Sequence, residues 1–349
     1  MIVVDRRAPA VRALDALDDA PHSFWAGFLT PLGQLYAALA GLHRAVRGER
    51  ALPAMPPSLA VGNLRVGGTG KTPVVEDLGT RLRDRGFGVA VLSRGYRAGG
   101  GGDEPAWLAD RGLDVHLGSD RHRTHARAAR GGADVVLLDD GFQARARATR
   151  RLVIVLERDL VRPPRPLPAG PAREGAAALL RADGILVRRP VGAAGALCGE
   201  HIGRPCVGFR LEPTGWIDPQ GSASELRPFP LPGPVAAVSG LARPRSFEAT
   251  LTALGVPVVG TWRARDHWAP RRDEVARLVE WARGLGARAL VCPEKNRARL
   301  VAAEPALPVH ALAAAVRWDT DDPLAALGIL PGLVEAGEPT RHDDEGAAP

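Results

Sequence analysis

The chain has 349 residues, 45% of them hydrophobic, with 46 basic and 39 acidic side chains and a net charge of +7. That length can bury one large core or two medium ones, and the charge suits an anionic ligand or an anionic membrane surface. The basic residues are scattered without a nucleic-acid motif, so no nucleic-acid partner is expected, and three cysteines (Cys198, Cys206, Cys292) without metal-type spacing argue against a disulfide scaffold.

The N-terminal stretch MIVVDRRAPAVRALDALDD lacks the basic-then-apolar order of a signal peptide. Residues 1–20 are of mixed charge and read as a loose helix or arm. Ser23–Leu42 carries no charge, and Arg44, Arg47 and Arg50 follow it. Phe24, Phe28, Leu32, Leu35, Leu39 and Leu42 recur at near-helical spacing, which predicts a helix with one apolar face. Pro31 is expected to break or kink it. The stretch is marginal for a bilayer span, so it reads as a helix lying on a membrane with arginines at the headgroups. The same pattern would serve a helix packed on the protein's own core.

The apolar run Ser58-Leu59-Ala60-Val61 predicts a buried strand. It leads through VGNLRVGGTGKTP (Val61–Pro73) into a helical stretch, Val74–Arg85. A glycine-rich turn between strand and helix that ends Gly-Lys-Thr is a phosphate-binding loop. The glycines Gly67, Gly68 and Gly70, with Thr69, let backbone N–H groups approach phosphate oxygens at a helix N-terminus. Lys71 would reach the β- and γ-phosphates, and Thr72 would hold Mg²⁺. The strict pattern GxxxxGK[ST] fails at one place, where Arg65 stands for the first glycine. Lys71 and Lys295 are the only lysines, and a chain that otherwise uses arginine places a compact point charge at the phosphate position.

Gly88–Leu92 reads as a second buried strand, ending in Ser93-Arg94-Gly95-Tyr96. The carboxyl ends of strands are where open α/β sheets bind ligands. Four glycines, Gly99 to Gly102, precede Asp103-Glu104-Pro105, so this carboxylate can move into a site. Val115–Leu117 reads as a short strand and Ser119–Arg130 as a basic helix. Asp134–Asp140 is an apolar strand ending in Asp139 and Asp140, which read as the Mg²⁺-side carboxylates. Gln143 follows, placed to orient an oxygen. Arg151–Leu156 and Gly184–Val187 are strand-like, with a proline-rich loop and a helical stretch at 175–182 between them. A second βαβ rhythm runs from Val235: strand Val235–Ser239, helix Pro244–Leu254, strand Val256–Gly260, then Asp266-His267-Trp268. The helix Asp273–Leu285, strand Ala289–Cys292, Pro293-Glu294-Lys295-Asn296 with a short helix, and strand Val309–Leu312 complete it.

These stretches predict an α/β protein. Its parts are an N-terminal arm and amphipathic helix (1–50), a P-loop NTPase core with a mostly parallel sheet (51–189), and a linker or β element (190–234). A second, smaller α/β unit (235–330) and an acidic tail (331–349) follow. Val61–Pro73, Ser93–Tyr96, Gly102–Pro105, Gly118–Arg121, Asp139–Gln143, Pro168–Glu174, Ser239–Pro244, Asp266–His267 and Glu294-Lys295 together resemble the tetraacyldisaccharide 4′-kinase (lipid A 4′-kinase) family, in family order from about Phe24 to Leu300. The resemblance implies ATP with Mg²⁺ as cofactors, an acylated disaccharide 1-phosphate as acceptor, and work at the cytoplasmic face of the inner membrane. It implies Asp103 and His267 as the catalytic pair that activates the acceptor hydroxyl, beside Lys71. Support is implied from Asn63, Arg94, Tyr96, Glu104, Arg121, Gln143, Arg173 and Glu174, with the site completed by closure of the second unit.

The chain departs from the family pattern at Ala144, Trp268, Gly175 and Pro293-Glu294-Lys295-Asn296. A P-loop ATPase switch or a scaffold without transferase activity is the alternative. Arg65-Val66 stands where switch ATPases carry a loop lysine, which weakens the switch reading, and the [NT]KxD motif of GTPases is missing.

Overall fold

The computed structural model describes residues 2–20, 23–95, 103–227, 229, 233–266 and 268–329, the side chain of Asp103 excepted. Tyr96, the glycine run ending at Gly102, His267 and the acidic tail lie outside the described residues.

The elements in chain order begin with β1 (Ile2–Asp5), α1 (Pro9–Asp19) and α2 (Phe24–Arg47). The P-loop half comprises β2 (Ser58–Asn63), α3 (Lys71–Arg83), β3 (Val89–Ser93), α4 (Asp103–Asp110), β4 (Asp114–Leu117), α5 (Arg121–Arg130), β5 (Val135–Asp139), β6 (Arg150–Leu156), α6 (Glu157–Val161) and β7 (Gly184–Arg188). The remainder comprises β8 (Arg204–Ile217), β9 (Val235–Ser239), α7 (Pro244–Ala253), β10 (Val258–Arg263), α8 (Arg272–Gly284), β11 (Ala289–Pro293), α9 (Glu294–Ala302), β12 (Val309–Trp318) and α10 (Pro323–Ala326).

The labelled strands join one 14-stranded sheet in the order β1-β10-β9-β11-β12-β8-β7-β6-β2-β5-β3-β4, with two short strands flanking β8. The strands β2 and β5 are buried along their whole length, as parallel strands covered on both faces must be. Helix α3 covers one face with Val74, Val75, Leu78 and Leu82, packed against Leu59, Val91 and Leu137. A separate core forms around Val238, Trp262, Leu278 and Leu290.

Residues 190–234 hold more than a connection. Their long strand β8 pairs in parallel with β7 through Cys206–Phe209 and antiparallel with β12 from Phe209 onward. The second half of the sheet therefore begins where the first half ends. Because β12 runs back against β8, and β11, β9, β10 and β1 follow it in parallel, the two halves point their carboxyl ends at each other. The cleft between them is a consequence of that one antiparallel pairing.

Two expectations are corrected. The N-terminal segment does carry a helix, α1, but its start is not loose: β1 pairs in parallel with β10 in the register Ile2↔Gly260 to Asp5↔Arg263. Three β-branched apolar residues are too short a signal to read alone, and a waiting sheet edge supplies the partner. Pro31 does not break α2, which runs unbroken for 24 residues behind the cap Ser23. Proline removes one donor, and the hydrogen bonds on either side still propagate the helix. Among its described side chains only Ala26 and Gly33 are buried. A Cβ at Gly33 would sit 2.9 Å from the Pro166 carbonyl oxygen, so this glycine lets the helix lie on the proline-rich loop. No helix among the described residues is long and apolar enough to cross a membrane.

Candidate active site

The phosphate loop is held by Asn63, the last residue of β2, which is fully buried. Its side-chain amide donates to the Gly67 carbonyl at 3.2 Å and to Thr69 Oγ1 at 2.9 Å, and Oδ1 accepts from Lys71 Nζ at 3.3 Å. Gln143 donates to the Asn63 carbonyl at 2.7 Å. Gly67 and Gly70 take φ values of 100° and 95°, which glycine adopts without strain. Gly70 is the left-handed cap from which α3 starts at Lys71. Thr72 follows, buried in the first turn.

Lys71 Nζ lies 3.4 Å from Asp140 Oδ1, and Arg173 Nη1 lies 3.3 Å from the same oxygen. Burial pushes the Asp140 carboxyl up, but the charges of Lys71 and Arg173 and their hydrogen bonds outweigh it and hold the carboxyl below its ordinary range. Asp139 behaves in the opposite way. Burial, then the charge of Glu104, pushes its carboxyl up to about 7, against the pull of Lys71. Its Oδ1 is buried with no hydrogen-bond partner among the described residues. A carboxylate oxygen so placed, one strand away from Thr72, fits a divalent cation.

Arg121 is buried and donates to the Asp139 carbonyl at 3.0 Å. Burial, then the neighbouring Arg94 cation, pushes its guanidinium down to about 10. Arg94 itself is exposed at the end of β3. Arg173 donates its backbone N–H to the Leu64 carbonyl at 2.7 Å, fixing the proline-rich loop against the phosphate loop. Glu174 Oε2 receives Arg44 of α2 and Arg181, each at 2.7 Å. Burial pushes its carboxyl up, with Arg44 opposing.

The second unit closes the other side. Its Ala242 faces Gly67 and Gly68, while Arg188, at the end of β7 in the P-loop half, donates to the Gly68 carbonyl at 3.2 Å. Burial, then Arg243, pushes the Arg188 guanidinium down to about 10. Lys295 Nζ meets Glu104 Oε1 at 3.2 Å and Asp266 Oδ1 at 3.7 Å. Arg111 meets Glu294 at 2.8 Å. The cleft has a volume of about 880 Å³ and is lined by Thr72, Glu104, Leu211, Arg243 and Lys295 among others.

The structure thus brings together Asn63, Gly67, Gly68, Thr69, Gly70, Lys71, Thr72, Asp139, Asp140, Gln143 and Arg173, with Arg121 behind them. Asp103 begins α4 beside Glu104, while Tyr96 and His267 lie outside the described residues. Three residues carry no sign of their partners in the sequence: Arg188 at the end of β7, and the cross-cleft Arg111 and Arg243. Among many arginines, none carries a local signal; only the sheet topology gives each its partner.

The chain matches the family model described as tetraacyldisaccharide-1-P 4′-kinase over residues 25–327. It is 39% identical over 283 residues to the tetraacyldisaccharide 4′-kinase of Anaeromyxobacter sp. (strain Fw109-5), covering 72% of this chain and 76% of that one. It is 34% identical over 334 residues to the enzyme of that name from Parvibaculum lavamentivorans, covering 88% and 91%. In fold it is similar to LpxK of Aquifex aeolicus, solved in complex with ATP, with a TM-score of 0.63 at 24% identity over 88% of this chain and 99% of that one. The match spans both halves of the sheet and the cleft between them, and the chain belongs to the tetraacyldisaccharide-1-P 4′-kinase family.

Proposed function

For this lipid A 4′-kinase we propose that the cleft transfers the γ-phosphoryl group of ATP to the 4′-hydroxyl of a tetraacylated glucosamine disaccharide 1-phosphate, at the cytoplasmic face of the inner membrane. The observation that carries the reading is Lys71, held between Asn63 and Asp140 at the start of α3. Lys71 and the N–H groups of the loop offset charge on the transferring group. Thr72 and Asp139, with Asp140 beside them, would hold Mg²⁺, which supplies further charge neutralisation on the phosphates. Arg173 and Lys71 keep Asp140 ionised and oriented. Arg121 fixes the backbone of Asp139.

The acceptor oxygen attacks the γ-phosphorus as the bond to the β-phosphate oxygen breaks. The hydroxyl proton passes to the Asp103–His267 pair. Lys295 supports that assignment, because Glu104 and Asp266, with which it forms ion pairs, are the sequence neighbours of those two residues. The lysine draws the start of α4 and the loop after β10 to one place across the cleft. The altered Pro-Glu-Lys-Asn motif thus has a positioning role.

The apolar face of α2 supports docking on a membrane. Phe24, Phe28, Leu32, Leu35, Leu39 and Leu42 are each more than half exposed along it, an arrangement suited to the lipid interface. Arg44 at its far end reaches Glu174, next to the Arg173 that holds Asp140. The membrane-facing helix is therefore tied to the site by two ion pairs.

The test is transfer of labelled γ-phosphate from ATP to the detergent-dispersed disaccharide 1-phosphate. Wild type should transfer, and Lys71→Ala and Asp103→Ala should each lose at least about a hundredfold in rate. Folded wild type that binds ATP and transfers nothing would refute this acceptor. ATP turnover without acceptor would favour a switch instead.

A further inference from the structure

Arg65 occupies the phosphate-loop position where the strict pattern has glycine, and its guanidinium is buried. It donates through Nε and Nη2 to both oxygens of Asp159, the former at 2.6 Å. Its Nη1 donates to Asp18 Oδ2 at 2.8 Å. That same oxygen of Asp18 receives Arg158 and, at 3.4 Å, Arg243. One carboxylate in α1 thus joins the phosphate loop, the start of α6 and the loop after β9 on the far side of the cleft. The next residue, Asp19, pairs with Arg245 of α7.

The segment's other end is anchored on the second unit. Strand β1 lies along β10, and Arg6 N donates to the Arg263 carbonyl at 2.8 Å. The buried Arg7 pairs with Asp5 at 2.8 Å and Asp15 at 2.5 Å, locking strand to helix. Helix α1 buries no residue of its own. Ion pairs, not a core, hold its carboxyl end in place. Asp15, Asp18 and Asp19 line the same cleft as Thr72. The segment precedes the stretch matched by the family model, which begins at residue 25.

We propose that residues 2–19 form a strap that holds the second α/β unit against the phosphate loop, with Asp18 as its positioning residue, tying Arg65 of the loop to Arg243 across the cleft. Without the Asp18 charge, Arg65, Arg158 and Arg243 would share only Asp159, and the surplus positive charge would push the two walls apart. The strap therefore biases the cleft toward its closed form, and ATP binds the closed form better.

The experiment uses the full chain with Asp18→Asn, which keeps shape and removes charge, and Asp18→Glu alongside. Steady-state kcat and KM for ATP are measured with the thermal midpoint and with amide hydrogen exchange at Val66–Gly70 and residues 241–243. Asp18→Asn should raise KM for ATP roughly five- to tenfold and leave kcat within about twofold. Exchange in both segments should accelerate, and Asp18→Glu should restore part of both effects. In Arg243→Gln, adding Asp18→Asn should change KM by less than about twofold, because the bridge is already gone. A lower thermal midpoint with unchanged KM and exchange would make the strap a structural tether only and overturn the proposal. Loss of kcat at constant KM would also overturn it. If the wild type turned over no ATP, the donor assignment would fail; the exchange readout would still decide the strap.

Discussion

Asn63→Ala tests whether the phosphate loop is preformed by its own side-chain contacts. The substitution removes two donated hydrogen bonds, to the Gly67 carbonyl and Thr69 Oγ1, and the one accepted from Lys71. The residue is fully buried, so water does not readily replace these partners. At about 1 kcal/mol net for each, less for the long Lys71 contact, the loop loses about 2–3 kcal/mol. If the loop must adopt this shape to meet the transferring phosphoryl group, that energy appears in the barrier. The expected loss in kcat/KM for ATP is about thirty- to a hundred-and-fifty-fold. The assay is transfer of labelled γ-phosphate at varied ATP, with circular dichroism to show that the fold is retained. Asn63→Asp, which accepts from Lys71 but cannot donate to the Gly67 carbonyl, should recover little of the loss. A folded Asn63→Ala protein within about threefold of wild type would refute the reasoning, because the loop would then take its shape from the glycines and the ligand alone.

Gly62→Ala should destabilise the protein by about 1–3 kcal/mol in urea unfolding, since the added Cβ would sit 2.3 Å from Phe142 Cβ and 2.9 Å from Phe142 N. A midpoint equal to wild type would show that the turn after β5 yields freely. Combined Phe24→Ser, Phe28→Ser and Leu32→Ser should weaken sedimentation with anionic vesicles at least about tenfold. The thermal midpoint should stay put, because these side chains are already more than half exposed; unaltered vesicle binding would count against α2 as the docking face. His125 is buried, its Nε2 2.9 Å from the Pro56 carbonyl, and burial holds its pKa below the ordinary value of 6.5. The unfolded chain therefore takes up a proton first as pH falls below about 6.5, and this site's contribution to stability declines there. His125→Gln should show a shallower loss of urea midpoint between pH 7 and 5 than wild type; an identical slope would remove His125 from the acid response.

Much of the site was legible in the sequence because its chemistry is local. Strand, glycine turn and helix are adjacent between Ser58 and Arg83, and each declares itself by an apolar run, positive-φ glycines or a 3.6-residue period. The two aspartates at the end of β5 are likewise one strand's ending. The apolar face of α2 was readable from spacing, but whether it meets lipid or the core was not; the tertiary structure leaves it exposed. α2 continues through Pro31 without the expected break because one missing donor weighs less than a long run of intact bonds on both sides.

What the amino-acid order determined by itself was the set of βα units and the loop that grips phosphate, since near neighbours supply those interactions. What only the tertiary structure decided was which residues face one another across the cleft. The antiparallel meeting of β8 and β12 turns the carboxyl ends of the second half toward the first. That single long-range pairing sets Lys295 between Glu104 and Asp266, and Asp18 between Arg65 and Arg243. Ion pairs such as Asp18–Arg243, separated by 225 positions, leave no periodicity to read. One arginine among 44 acquires a role only when the sheet gives it a partner.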